Sequence, residues 1–290
     1  MAKVGFIGLG TMGFPMARNL LRGGNEMRVY DINPKVVEQL AGEGALAATS
    51  PAEAAEGVEV LITMLPNAPH VRTALFGENG AAAALDRKAL YIDMSTIHPQ
   101  ESDSIAEAMK DLGIRTLDAP VGRTSLHAEQ GKLLIMVGAE IDDLERARPL
   151  LDLMGDTIIH CGPRGAGARI KVVNNFMSTA LAVLSGEALT LAEAVGLDID
   201  TTIKVLNNTP AGQGHFSTTF AGKVLAGDLT PGFMVDLAHK DLGLGLDVAA
   251  AMNVPVPVAA AARETYSLAR RKGLGRKDWT VVYEMMRAKA

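Results

Sequence analysis

The sequence predicts an α/β fold: a doubly wound, mainly parallel sheet followed by an all-helical C-terminal domain, the two joined by one long helix. Three observations predict it. Short β-branched runs alternate with helical patterns as far as Cys161, a glycine-rich turn follows the first of those runs, and strand-like runs stop after Gly162-Pro163.

The first run, Lys3-Val4-Gly5-Phe6-Ile7, leads into Gly8-Leu9-Gly10-Thr11-Met12-Gly13, a G-x-G-x-x-G turn. Each glycine has its own steric task in a dinucleotide site. Gly8 makes the tight turn, Gly10 lets backbone approach a pyrophosphate, and Gly13 lets the next helix pack closely on the strand. A helix beginning near Met12, with Met16, Leu20 and Leu21 on its apolar face, would aim unpaired N–H groups and its positive dipole end at the phosphates. The second strand, Arg28-Val29-Tyr30-Asp31, ends in a carboxylate at the spacing that this fingerprint requires. Asp31 would accept from both adenosine ribose hydroxyls and repel a 2′-phosphate. Ile32 and Asn33 follow it with no Arg, so NAD(H) is expected over NADP(H).

Helix starts follow at Asn33-Pro34, at the capping box Ser50-Pro51-Ala52-Glu53 and at His98-Pro99. Further strands are read at Val58-Glu59-Val60-Leu61-Ile62, Leu90-Tyr91-Ile92-Asp93, Ile114-Arg115-Thr116-Leu117-Asp118, Leu133-Leu134-Ile135-Met136-Val137 and Thr157-Ile158-Ile159. Residues 165–194 then form a proline-free stretch rich in Ala, Leu, Val and Met that Gly196 terminates. A helix of that length runs roughly 45 Å, too long for one small core. It is expected to pass from the sheet domain, residues 1–162, into the helical domain, residues 163–290, and to bury part of its surface against another subunit, giving a homodimer or homotetramer.

A net charge of −5 over 290 residues argues against nucleic acid or an anionic membrane as partner. The single cysteine, Cys161, excludes an intramolecular disulfide and reads as a buried apolar residue rather than a nucleophile. Six scattered histidines show no metal spacing, and the fourteen methionines read as core filler. The N-terminus leads straight into the first strand and no apolar run is long enough to cross a bilayer, so a cytoplasmic location is expected.

Ligands of such sheets bind beyond the carboxyl ends of the strands. Met64-Leu65-Pro66-Asn67 and Asp93-Met94-Ser95-Thr96 lie there, and the hydroxyls of Ser95 and Thr96 either cap the helix near Pro99 or touch ligand. Asp118-Ala119-Pro120-Val121-Gly122-Arg123-Thr124-Ser125 supplies a guanidinium and two hydroxyls, either a clamp for an enclosed small anion or a solvated helix start. On the long helix, Lys171 and Asn175 share one face, and Asn174 and Ser178 share an adjoining one. This polar group is either a surface patch or a site where Lys171 supplies a proton while the amides orient substrate.

These segments, with Gly165-Ala166-Gly167-Ala168-Arg169-Ile170-Lys171-Val172-Val173-Asn174-Asn175 and Phe233, Lys240-Asp241-Leu242, resemble the β-hydroxyacid dehydrogenase family over essentially the whole chain and in order. The resemblance implies an N-terminal Rossmann domain and reversible hydride transfer between NAD(H) and a small hydroxy acid or its aldehyde. It makes Lys171 the catalytic residue and Asn175 its orienting neighbour. It puts Gly8, Gly10, Thr11, Met12, Gly13, Asp31, Leu65, Pro66, Thr96 and Lys240 on the cofactor, with Phe233 near the nicotinamide.

One loop departs from the family. Most members follow Pro-Val with Ser-Gly-Gly, whereas Gly122, Arg123, Thr124 and Ser125 stand here. His98-Pro99 and Gly212-Gln213-Gly214-His215-Phe216 accompany that departure. A sulfonate offers three acceptor oxygens and stays ionised, which suits Arg123, Asn174, Ser178 and the loop hydroxyls, with Ser95 alongside. Arg also binds carboxylates, so it is the resemblance, more than this chemistry, that implies a small anionic aldehyde carrying a sulfonate as the substrate. A carboxylate semialdehyde is the alternative, and a non-catalytic NAD-binding sensor is the reading from another class.

Overall fold

The computed structural model describes residues 1–194, 196–208, 215, 219–251 and 257–287. The chain divides into two units, Met1–Lys171 and Val172–Ala290. The first unit takes in the opening turns of the long helix, whose start Asp118 ties to the sheet.

The first unit contains β1 (Lys3–Ile7), α1 (Gly13–Arg22), β2 (Glu26–Tyr30), α2 (Pro34–Gly42), β3 (Leu46–Ala47), α3 (Pro51–Ala55), β4 (Val60–Thr63) and α4 (Ala68–Phe76). It continues through β5 (Leu90–Asp93), α5 (Pro99–Asp111), β6 (Arg115–Asp118), β7 (Val121–Gly122), α6 (Ser125–Glu129), β8 (Leu133–Gly138), α7 (Ile141–Met154) and β9 (Gly155–Gly162). The sheet order is β3-β2-β1-β4-β5-β6-β8-β7, with β9 on β8. Pairing is parallel except that β8 runs antiparallel to β6 and β7. The two-residue strands β3 and β7 carry too little alternation to be read from sequence.

Side chains of successive strand residues point to opposite faces, and both faces are apolar here. Phe6, Ile62, Ile92 and Leu117 pack with Met16 and Leu20 of α1 and Leu144 and Leu151 of α7. Leu61 and Tyr91 pack on the other side with Val71 and Leu75 of α4 and Ile105 and Met109 of α5. Burying each large apolar side chain contributes roughly 1.5–3 kcal/mol, so the two layers fix the sheet firmly. Register then aligns the strand ends: Ile7 pairs with Tyr30 and Thr63, Thr63 with Asp93, and Asp93 with Asp118. The loops after β1, β4, β5 and β6 consequently emerge side by side from one edge.

Helix starts follow the local chemistry. Asn33 Oδ1 accepts from the Lys35 N–H at 3.2 Å, Ser50 Oγ from Glu53 at 3.2 Å, and His98 Nδ1 from Gln100 at 3.2 Å. The capping box is not reciprocal as read: Glu53 reaches back to the N–H and hydroxyl of Thr49, both at 2.7 Å. Cys161 is half-buried rather than buried, with burial pushing its thiol up and so away from nucleophilic use.

The long helix α8 (Ala166–Ala194) begins in the first unit and ends in the second. Left-handed glycines flank it, Gly165 at φ 89° and Gly196 at φ 79°. The second unit continues with α9 (Ile199–Asn207), α10 (Val235–Ala251), α11 (Pro257–Arg271) and α12 (Val282–Met286). Its core joins Ala182 and Val183 of α8 to Phe220, Leu242, Tyr266, Trp279 and Tyr283. Ile170, Val173, Met177 and Leu184 recur along one face of α8 and stay 42–61% exposed. Among the described residues no helix is long and apolar enough to cross a membrane.

Candidate active site

The turn after β1 is shaped for a dinucleotide. Gly8 adopts φ 100° and donates its N–H to the Tyr30 carbonyl at 2.9 Å. A Cβ at Gly13 would collide with the Gly8 carbonyl oxygen, and one at Gly8 with that of Met64, whereas a Cβ at Gly10 would meet nothing within 4 Å. Two glycines thus close the turn and the third leaves open room for a ligand. Met12 precedes α1 without offering a capping side chain, so the opening of the helix remains available to phosphate oxygens. Asp31 accepts from the N–H groups of Leu9 at 2.6 Å and Asn33 at 2.8 Å. Those bonds fix its carboxylate beside the turn, half-buried, with acceptor directions to spare. Thr11 is exposed and Met12 half-buried at the same rim. These residues fit a nicotinamide dinucleotide.

Beyond β4 and β5 a buried polar chain shapes the neighbouring loops. Thr63 Oγ1 lies 2.7 Å from the Tyr91 hydroxyl and 3.0 Å from Asp93 Oδ1, and Asp93 accepts from the Ser95 N–H at 3.0 Å. Burial pushes the Asp93 carboxyl up to about 6, against the pull of the Ser95 and Thr63 hydrogen bonds. Ser95 Oγ in turn accepts the Leu65 N–H at 3.0 Å. Ser95 is 3% exposed, and His98 caps α5 in its place, so the serine ties the Leu65 loop to the Asp93 loop. Pro66 is exposed and Thr96 half-buried on these two loops.

Asp118, at the end of β6, accepts from the backbone N–H groups of Gly165 and of Ala168, the latter at 2.6 Å. It therefore seats the start of α8, one turn before Lys171. The seat has no spare room: a Cβ at Gly138 would stand 2.6 Å from Asp118 Oδ1 and 2.7 Å from the Gly167 nitrogen. Lys171, 9% exposed, is held at a fixed place on a clamped helix end.

Within the second unit, Asn175 is 7% exposed and its amide donates to Asp241, while Asn174 donates to Asn175 Oδ1 at 3.0 Å. Lys240 Nζ lies 3.1 Å from Asp241 Oδ1. Asp241 was not singled out as a site residue by sequence, yet it connects Asn175 to Lys240. Its only signal was its place in Lys240-Asp241-Leu242. Asn174 is exposed and Ser178 half-buried. Phe233 packs edge-to-face on Trp279 at 5.1 Å between ring centroids, and His215 meets the same indole at 5.2 Å. Residues 212–214 and 216 lie outside the described residues.

The Arg123 loop differs from the expected enclosed anion clamp. Gly122 ends β7, Thr124 is exposed with its hydroxyl 2.9 Å from His127 Nδ1, and Ser125 opens α6. Arg123 Nη1 donates to the Lys132 carbonyl and to Asp156 Oδ1, each at 2.5 Å, and its side chain is 33% exposed. The left-handed backbone at Arg123, φ 74°, goes with a side chain held on β9 by Asp156 and Thr157.

A glycine cradle at the carboxyl edge of a parallel sheet, in a chain whose long helix α8 carries the buried Lys171, defines a nicotinamide-dependent oxidoreductase. Residues 3–162 match the NAD binding domain of 6-phosphogluconate dehydrogenase, and residues 165–286 match the NAD-binding domain of NADP-dependent 3-hydroxyisobutyrate dehydrogenase. The chain belongs to the 3-hydroxyisobutyrate dehydrogenase-like branch of the β-hydroxyacid dehydrogenases. It is 51% identical over 290 residues to 3-sulfolactaldehyde reductase of Escherichia coli (strain K12), covering 100% of this chain and 97% of that one. It is 35% identical to the NAD-dependent L-serine dehydrogenase of Pseudomonas aeruginosa, covering 98% of each. The structure of Mycobacterium tuberculosis 3-hydroxyisobutyrate dehydrogenase with L-serine superposes with a TM-score of 0.91 at 32% identity, covering 99% of this chain and 100% of that one.

Proposed function

We propose that this protein is an NADH-dependent reductase that converts 3-sulfolactaldehyde to 2,3-dihydroxypropane-1-sulfonate in the cytoplasmic degradation of sulfoquinovose. The whole-length 51% identity to a relative of that name carries the reading, and the Arg123 loop supports it. NADH, when bound by the Gly8–Gly13 turn and Asp31, supplies the hydride. The Lys171 ammonium donates a proton to the aldehyde oxygen as charge develops there, and Asn175, steadied by Asp241, orients the substrate. Ser95, Gly122, Arg123, Thr124, Ser125, Asn174 and Ser178 are the proposed substrate contacts, and Leu65, Pro66, Thr96, Phe233 and Lys240 the further cofactor contacts. A panel of 3-sulfolactaldehyde, succinic semialdehyde and tartronic semialdehyde with NADH tests the assignment. Higher kcat/KM on either carboxylate would sink it.

Cofactor preference follows from Asp31. Its fixed carboxylate repels a 2′-phosphate, so KM for NADPH should exceed that for NADH by about tenfold or more, the ~1.4 kcal/mol that one uncompensated charge contact readily costs. Equal or lower KM for NADPH would overturn the preference.

The exposed apolar face of α8 supports a homodimer or homotetramer built on that helix. Ile170, Val173, Met177 and Leu184 are the kind of contiguous apolar surface that a second subunit covers. Light scattering at micromolar concentration should give two or four chains, and Leu184→Asp should shift the population toward one. A monomeric wild type would refute the assembly.

A further inference from the structure

Arg123 sits in a backbone region that residues with a Cβ rarely adopt, shared among the described non-glycine residues only by Asn79. A side chain held in that region needs a reason to stay. Its guanidinium is occupied at two ends: Nη1 by Asp156 Oδ1 and the Lys132 carbonyl, and Nη2 by Thr157 Oγ1 at 3.1 Å. The Thr157 hydroxyl donates onward to Asp156 Oδ1 at 2.7 Å. These donors are the ones with which a guanidinium grips an oxyanion, and here a carboxylate of the chain itself fills part of the grip.

The pair is open to water, with side chains 33% and 46% exposed. Exchange of one anion for another is therefore cheap. Asp156 would also not be stranded if Arg123 left it, because Thr157 still donates to it and the Lys132 charge lies nearby.

We propose that Asp156 is a built-in competitor for Arg123: it holds the guanidinium until an anionic substrate displaces it, and so limits how strongly anionic aldehydes are preferred over uncharged ones. The inference rests on the reading that Arg123 receives the anionic group of the substrate. That Arg123 is already paired with a carboxylate on β9, across β8 from the strand that leads into its loop, is the observation behind it.

The test compares Asp156→Asn with wild type on 3-sulfolactaldehyde and on glyceraldehyde. Removing a competitor of exposed-pair strength should raise kcat/KM for the sulfonate about two- to fivefold through KM, with the glyceraldehyde value held. Inorganic sulfate should inhibit the variant at correspondingly lower concentration, and Asp156→Glu should behave as wild type. In an Arg123→Ala background, Asp156→Asn should change nothing. An unchanged sulfonate KM in Asp156→Asn overturns the competitor, and so does a raised one, which would instead make Asp156 the support that holds Arg123 in place. Failure of the underlying reading shows separately: Arg123→Ala alone would then lower activity on both aldehydes alike.

Discussion

Replacing Lys171 with alanine should lower turnover by about 10²–10⁴-fold while leaving NADH affinity nearly unchanged, because a positioned proton donor commonly contributes that much to the chemical step. The lysine is 9% exposed on a helix whose start is clamped by Asp118, so water has little room to replace the ammonium at the developing alkoxide. The Gly8–Gly13 turn and Asp31 lie elsewhere on the sheet edge and keep their geometry. Lys171→Arg should not restore activity, since a guanidinium keeps its proton and presents it in a different donor geometry. Steady-state kinetics with NADH titration by fluorescence checks both halves. Near-native turnover in Lys171→Ala would remove the lysine from the chemistry.

Arg123→Gly should separate substrate recognition from everything else. A hydrogen bond to a charged group is worth about 1.5–3 kcal/mol, so kcat/KM for 3-sulfolactaldehyde should fall about 10- to 150-fold while that for glyceraldehyde holds. Stability should not fall, because glycine relieves a left-handed backbone that costs an ordinary residue roughly 1–2 kcal/mol, whereas the pair lost with Asp156 is open to water and contributes little. Because the guanidinium is one-third exposed, the sulfonate preference should also weaken as salt is added. Thermal melts alongside the two substrates decide the matter. Equal losses on both aldehydes would make Arg123 a support of the loop and would remove the chemical argument for a sulfonate.

The glycine turn was legible because its demands are local. Gly8, Gly10 and Gly13 answer to sterics within a few residues, and Asp31 to the length of one βαβ crossover. Short continuous apolar runs likewise announce β4 and β5, and proline and Asn, Ser or His announce the helix starts. What sequence does not announce is pairing across distance. Asp118 meets Gly165 and Ala168, which lie 47 and 50 positions on, and Asn175 meets Asp241 across 66, and no spacing rule links such residues. Arg123 shows the same gap from the other side. Its charge and loop suggested a free clamp, but Asp156, 33 residues away, and a left-handed φ direct the guanidinium onto β9.

The even alignment of the strand ends has a consequence for how such a protein is altered. Since Ile7, Thr63, Asp93 and Asp118 finish level with one another, each loop leaves the sheet from its own fixed anchor, and one can be exchanged without displacing its neighbours. Selectivity and redox chemistry are thereby separable inheritances. A chimera carrying a foreign segment between Val121 and Ser125 should keep its dinucleotide grip and its lysine while accepting a different acid, which makes this edge a natural place for swapping modules in the laboratory, as in descent.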